Sequence, residues 1–172
     1  MGKTIKTYIF CFDDHRGFTE EVRKQFPDAA RYTIFSYPIR EEFINNIAAE
    51  RESNFCKVAI LAVHDTGEHV DIIDKMTLEI KKIDPLTGLI LICPIDKIAG
   101  IKKTIKFNID AFIPKNSNSI LRIHNTVKML ISEHSIRAFR KRRNFSIYLL
   151  LTYLLVSVLL GAIAFFRYPW YF

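Results

Sequence analysis

Residues 57–63 read KVAILAV, a near-continuous apolar run of strand length. Such a run suits a central strand of a sheet that is covered on both faces. Residues 89–93, LILIC, form a second fully apolar strand. Before these two lie strand-like runs at 8–12 and 32–37, and after them a short one at 111–113. Amphipathic stretches separate the runs. Phe18, Val22 and Phe26 mark the first helix, and residues 40–51 carry Phe43, Ile44, Ile47 and Ala48 on a second. Ile72, Ile73, Met76, Ile80 and Ile83 mark a third, which Asp84-Pro85 ends. Ile98, Ile101 and Ile105 mark a fourth, and Ile120, Ile123, Val127, Leu130 and Ile131 a fifth. Five repeats of strand then helix, with connections too long for hairpins, require parallel strands joined by right-handed crossovers. The predicted fold class is α/β, a flavodoxin-like, doubly wound five-stranded parallel sheet.

Residues 145–166 read FSIYLLLTYLLVSVLLGAIAFF without a charge. At about 1.5 Å per residue this run spans the ~30 Å hydrocarbon core of a bilayer. Arg137, Arg140, Lys141, Arg142 and Arg143 precede it, whereas the six residues after it carry only Arg167. The positive-inside rule then predicts a single-pass protein of the cytoplasmic (inner) membrane with its N-terminus in the cytoplasm. Four segments follow: a cytoplasmic domain over 1–134, a basic juxtamembrane helical stalk over 135–144, a transmembrane helix over 145–166 and a short extracytoplasmic aromatic tail over 167–172. No Pro or Gly stands between Pro114 and Gly161, so the fifth helix can run unbroken into the span. Ser157 and Gly161, four apart, offer a close-packing face for a homo-oligomer.

The net charge of +7 is concentrated at the membrane boundary, where anionic headgroups attract basic side chains at ~1 kcal/mol each. Lys97, Lys102, Lys103 and Lys106 form a smaller basic set that reads as a solvated helix face, so nucleic acid is not an expected partner. The three cysteines, Cys11, Cys56 and Cys93, lack ligand-like spacing and read as buried free thiols. The first strand-to-helix turn, FDDHRG over 12–17, lacks a glycine-rich phosphate cradle, and neither a nucleophile elbow nor HExxH occurs.

In an open parallel sheet, ligands bind at the carboxyl ends of the strands. There the sequence places Asp13-Asp14-His15, Ala62-Val63-His64-Asp65, Cys93-Pro94 and Pro114-Lys115. Two adjacent carboxylates faced by a lysine suit a hard divalent cation such as Mg²⁺. The same acidic pair also reads as a charge cluster favouring the first helix dipole. His15 and His64 with Asp13, Asp14 and Asp65 would alternatively suit Zn or Mn.

With these residues in place, the chain resembles the receiver domain of bacterial response regulators over about 6–134. The resemblance implies that Asp13 and Asp14 match the family's metal-binding pair, Lys115 its lysine and Phe112 its aromatic switch position. It also implies a partner-binding face that includes Ile101, Lys102, Ile105, Lys106 and Phe112. The departures are chemical. The phosphoacceptor position falls on Ala62, whose methyl cannot be phosphorylated; a shifted register would place it on Asp65. The hydroxyl position falls on Cys93, and Asn116 replaces the proline after the lysine. Without a phosphoryl group to grip, Lys115 is expected to pair with Asp13 or Asp14. These readings imply a degenerate pseudo-receiver with a transmembrane anchor. It would be non-catalytic, an adaptor or structural component that binds protein partners at the membrane. The alternative is a functional receiver that accepts a phosphoryl group on Asp65, with a divalent cation at Asp13 and Asp14.

Overall fold

The computed structural model describes residues 6–12, 16–51, 53, 55–63, 67–104 and 109–167. They divide into two compact units, Met1–His134 and Ser135–Phe172. In the first, strands β1 (Thr7–Phe12), β2 (Tyr32–Tyr37), β3 (Cys56–Ala62), β4 (Gly88–Cys93) and β5 (Ala111–Pro114) alternate with helices. The helices are α1 (Arg16–Gln25), α2 (Arg40–Ala49), α3 (Gly67–Ile83), α4 (Ile98–Thr104) and α5 (Ser119–Arg167), and a 3₁₀ turn at Ile95–Lys97 leads into α4. All pairings are parallel and the sheet order is β2-β1-β3-β4-β5. This is the flavodoxin-like order, with β3 at the centre.

The apolar runs become the central strands because each of their faces is covered. Val58 and Ile60 of β3 point to one layer, with Ile9, Ile90, Ile113, Val22, Ile123 and Val127. Ala59 and Leu61 point to the other, with Phe10, Leu89, Leu91, Phe43, Ile47, Ile73, Met76 and Ile80. The period of two along a strand thus feeds α1 and α5 on one side and α2, α3 and α4 on the other. Each fully buried Ile or Leu contributes roughly 1.5–3 kcal/mol.

Gly88 opens β4 where α5 comes close. A Cβ at this position would lie 2.7 Å from Leu130 Cδ1 and 3.4 Å from Leu130 Cγ. Leu130 is itself buried, so it has little room to retreat. Gly88→Ala is therefore expected to destabilise the unit by about 1–3 kcal/mol through overpacking, read as a lowered midpoint in guanidinium unfolding.

Boundaries shift modestly from the sequence reading. Helix α2 ends at Ala49, and Arg51 closes the following turn through its N–H to the Ala48 carbonyl. Strand β5 gains Pro114 at its end. Ahead of α5, Asn116 accepts the Asn118 N–H on its side-chain oxygen, and the Ser119 hydroxyl donates to the Asn116 carbonyl. In the second unit, Ile136, Phe139, Phe145 and residues 147–151 expose large apolar side chains. Among the described residues, α5 carries the one stretch long and apolar enough to cross a membrane. Its 18-residue window has mean hydropathy 1.6, and none of it is buried.

Candidate functional site

The carboxyl edge of the sheet assembles the positions named from sequence at the ends of three strands. Ala62 is the last residue of β3 and pairs with Ile92, which pairs in turn with Ile113. Cys93 ends β4 and pairs with Pro114, directly before Lys115. The strands stay joined to their tips. The Val63 N–H donates to the Ile92 carbonyl at 2.8 Å, and the Lys115 N–H donates to the Cys93 carbonyl at 2.8 Å. Phe12, opposite Leu61, ends β1. Asp13, Asp14, His15, His64, Asp65, Ile105 and Lys106 lie outside the described residues.

What this edge can do chemically follows from the side chains present. Ala62 offers a methyl. Cys93 offers a fully buried thiol within the layer of α3 and α4, where burial raises its pKa and the charge of Lys102 partly offsets that rise. A thiol held in its neutral form is a weak nucleophile. Lys115 is exposed just past β5. The Lys102 ammonium sits 5.5 Å from the centre of the Phe112 ring, within cation–π range, and so joins α4 to β5.

One residue of the expected partner-binding face is not on the surface. Ile101 is 4% exposed and packs in the same core layer as Leu91 and Cys93, with Phe112 against it. The helical period that placed Ile98 and Ile101 on one stripe turns that stripe toward the sheet, leaving Lys102 and Lys103 outside. Ile101 is therefore a core residue of α4, beside the exposed Lys102 and Lys103.

Sequence reasoning missed a charged pair at the opposite edge. Lys57, counted within the apolar run, is 5% exposed, and its Nζ lies 2.8 Å from Asp84 Oδ2. The same ammonium donates to the carbonyls of Glu50 at 2.7 Å and Arg51 at 3.0 Å, in the turn that closes α2. Asp84 accepts the Leu86 N–H at 3.0 Å and the Thr87 hydroxyl at 3.1 Å. Burial pushes the Asp84 carboxyl upward. The hydrogen bonds from Lys57, Leu86 and Thr87, together with the lysine charge, outweigh it and hold the pKa below the ordinary carboxylate value. The available signal was a lone lysine at the head of a buried strand, which needs a partner to stay charged.

Further along the same edge, Lys81 donates to the Thr87 carbonyl at 2.9 Å and to Asp110 Oδ2 at 3.0 Å. Asp110 Oδ2 also accepts the Leu89 N–H at 2.7 Å. This bond set ties the entry of β4 to that of β5.

No protein-family model and no curated protein matches the sequence. Solved structures do match the fold. A response regulator receiver domain protein from Clostridium thermocellum superposes with a TM-score of 0.60 at 14% identity, covering 76% of this chain and 98% of its own. A structure described as adenylate cyclase from Rhodopirellula baltica gives 0.62 at 11% identity, covering 80% and 96%. A response regulator from Thermotoga maritima gives 0.56 at 13% identity, covering 74% and 99%. At these identities the likeness is one of fold: the five-stranded domain is receiver-like.

Proposed function

We propose that the chain is a membrane-tethered pseudo-receiver, a protein-docking module that does not accept a phosphoryl group. Ala62 carries this reading. It is the last residue of β3 at the carboxyl edge of the sheet, where a receiver places its phosphoacceptor, and its methyl has no oxygen to attack a phosphoryl donor. Cys93, fully buried at the end of β4, supports the same reading, because no hydroxyl stands there to follow a change of charge. The apolar, unburied window of α5 supports the tether, and the arginines before it support a cytoplasmic orientation. Lys102 and Phe112, joined across α4 and β5, then serve as part of a docking face for a protein partner at the membrane.

Incubating the full-length protein with acetyl phosphate and Mg²⁺ tests the central point. The expected result is no acyl phosphate on intact-mass analysis. A phosphorylated species that disappears in Asp65→Ala would overturn the proposal and establish a working receiver.

A further inference from the structure

The amino-terminal edge of the sheet holds a polar cavity of ≈ 160 Å³ within the first unit. Ser53 and Phe55 lead into β3, Lys57 stands at its head, and Asp84 and Leu86 lead into β4. Arg51 and His134 complete the lining.

The charges inside are unequally committed. The Lys57 ammonium spends its three protons on Asp84 and two carbonyls, and Asp84 is engaged by Lys57, Leu86 and Thr87. That pair is internally neutralised, so it neither attracts nor strongly repels an anion. Arg51 is exposed, and its guanidinium has no carboxylate within ion-pair distance among the described residues. The Ser53 hydroxyl gives its proton to the Glu50 carbonyl at 2.7 Å. Lys6 adds a cation beside the wall, 5.6 Å from the centre of the Phe55 ring. Among the described lining residues, Arg51 and Lys57 against Asp84 leave one positive charge, and Arg51 brings a planar guanidinium fork of the kind that matches phosphate geometry.

Size narrows the ligand. Cofactor sites run to about 300–1,000 Å³ and a water takes ~30 Å³. The cavity suits one phosphate group with a few waters and is too small for a nucleotide. Phe55 and the 57% exposed Leu86 supply an apolar rim for the carbon part of a phosphate ester.

We propose that this cavity binds a phosphate ester through Arg51, and that the ester is the headgroup of an anionic phospholipid. The choice of a lipid source rests on the tethered reading above. His134, a lining residue, is the last of its unit, and the chain then continues directly into the segment that carries Arg137, Arg140 and Arg143 ahead of the apolar run.

The test uses full-length protein reconstituted into vesicles of phosphatidylcholine alone, of phosphatidylcholine with phosphatidic acid, and of phosphatidylcholine with soluble glycerol phosphate added. Amide hydrogen exchange of residues 51–57 and 84–88 is the readout. Several-fold slower exchange with phosphatidic acid, lost in Arg51→Gln while flotation with the vesicles is unchanged, is expected. Equal protection by glycerol phosphate in phosphatidylcholine keeps the site and overturns its lipid source. Equal exchange in all three preparations, or protection that persists in Arg51→Gln, overturns the site itself. Failure to float with any vesicle sinks the tether and, with it, the lipid source, while the glycerol phosphate arm still reads the cavity.

Discussion

Lys57→Met is expected to lower the unfolding free energy by about 3–5 kcal/mol, because it leaves the Asp84 carboxylate buried without its counter-charge. Asp84 is 7% exposed, so water cannot easily replace the ammonium. The same substitution strips the Glu50 and Arg51 carbonyls of their donor, which loosens the turn between α2 and β3. Asp84→Ala is expected to fall in the same range by leaving the ammonium unpaired. The double variant Lys57→Met/Asp84→Leu should recover much of the loss, since replacing both partners by apolar groups removes two desolvation costs together. Guanidinium titration of the detergent-solubilised chain, followed by near-ultraviolet circular dichroism, measures all three. Strict additivity of the single losses in the double variant would refute a coupled pair.

The pair also sets a pH dependence. The native pKa of Asp84 lies below its unfolded value, so its contribution to stability is fully present above the ordinary carboxylate range. That contribution is lost as pH falls through the depressed native value, below about pH 4. Asp84→Asn is expected to flatten this acidic limb, leaving stability lower at neutral pH and less sensitive to acid. An unchanged acid slope would show that other carboxylates govern it.

Leu151→Arg/Leu155→Arg is expected to abolish retention in the membrane. Moving an arginine to the middle of a spanning helix costs about 2.5–3.5 kcal/mol on insertion-derived scales, while each leucine lost had contributed favourably. Two such changes near the centre of residues 145–166 together cost roughly 6 kcal/mol, assuming additivity. Alkaline carbonate extraction reads the result. Wild type should stay with the membrane pellet and the double variant should move to the supernatant. Leu155→Arg alone should give a mixed distribution, because a single arginine near the centre is partly relieved by snorkelling and local water defects. If the double variant stays in the pellet, lipid contact is not what holds the protein there, and the proposed tether falls.

The apolar runs at 57–63 and 89–93 and the helical stripes between them were enough to read a five-stranded parallel α/β domain. A doubly covered strand leaves a local trace, since burial on both faces excludes polar side chains from every position. The uncharged run at 145–166 is equally local. What failed to show was whatever depended on a distant partner. Lys57 was counted within an apolar run, and its partner Asp84, just past the end of α3, is 27 residues further along the chain. Ile101, assigned to a docking face by resemblance, was already marked as a core residue by its spacing from Ile98, and packing against the sheet shows which of the two assignments holds.

The cavity beside Lys57 has no sequence signature at all, because its walls come from the end of α2, the entries to β3 and β4, and α5. Sequence by itself determined the periodicity, and with it the elements, their class and the apolar run, because burial repeats every two or 3.6 residues along the chain. The tertiary structure alone decided the strand order, the partner of the buried lysine and the depth of Ile101. Each of these depends on distances between residues far apart in the chain, which local pattern does not encode.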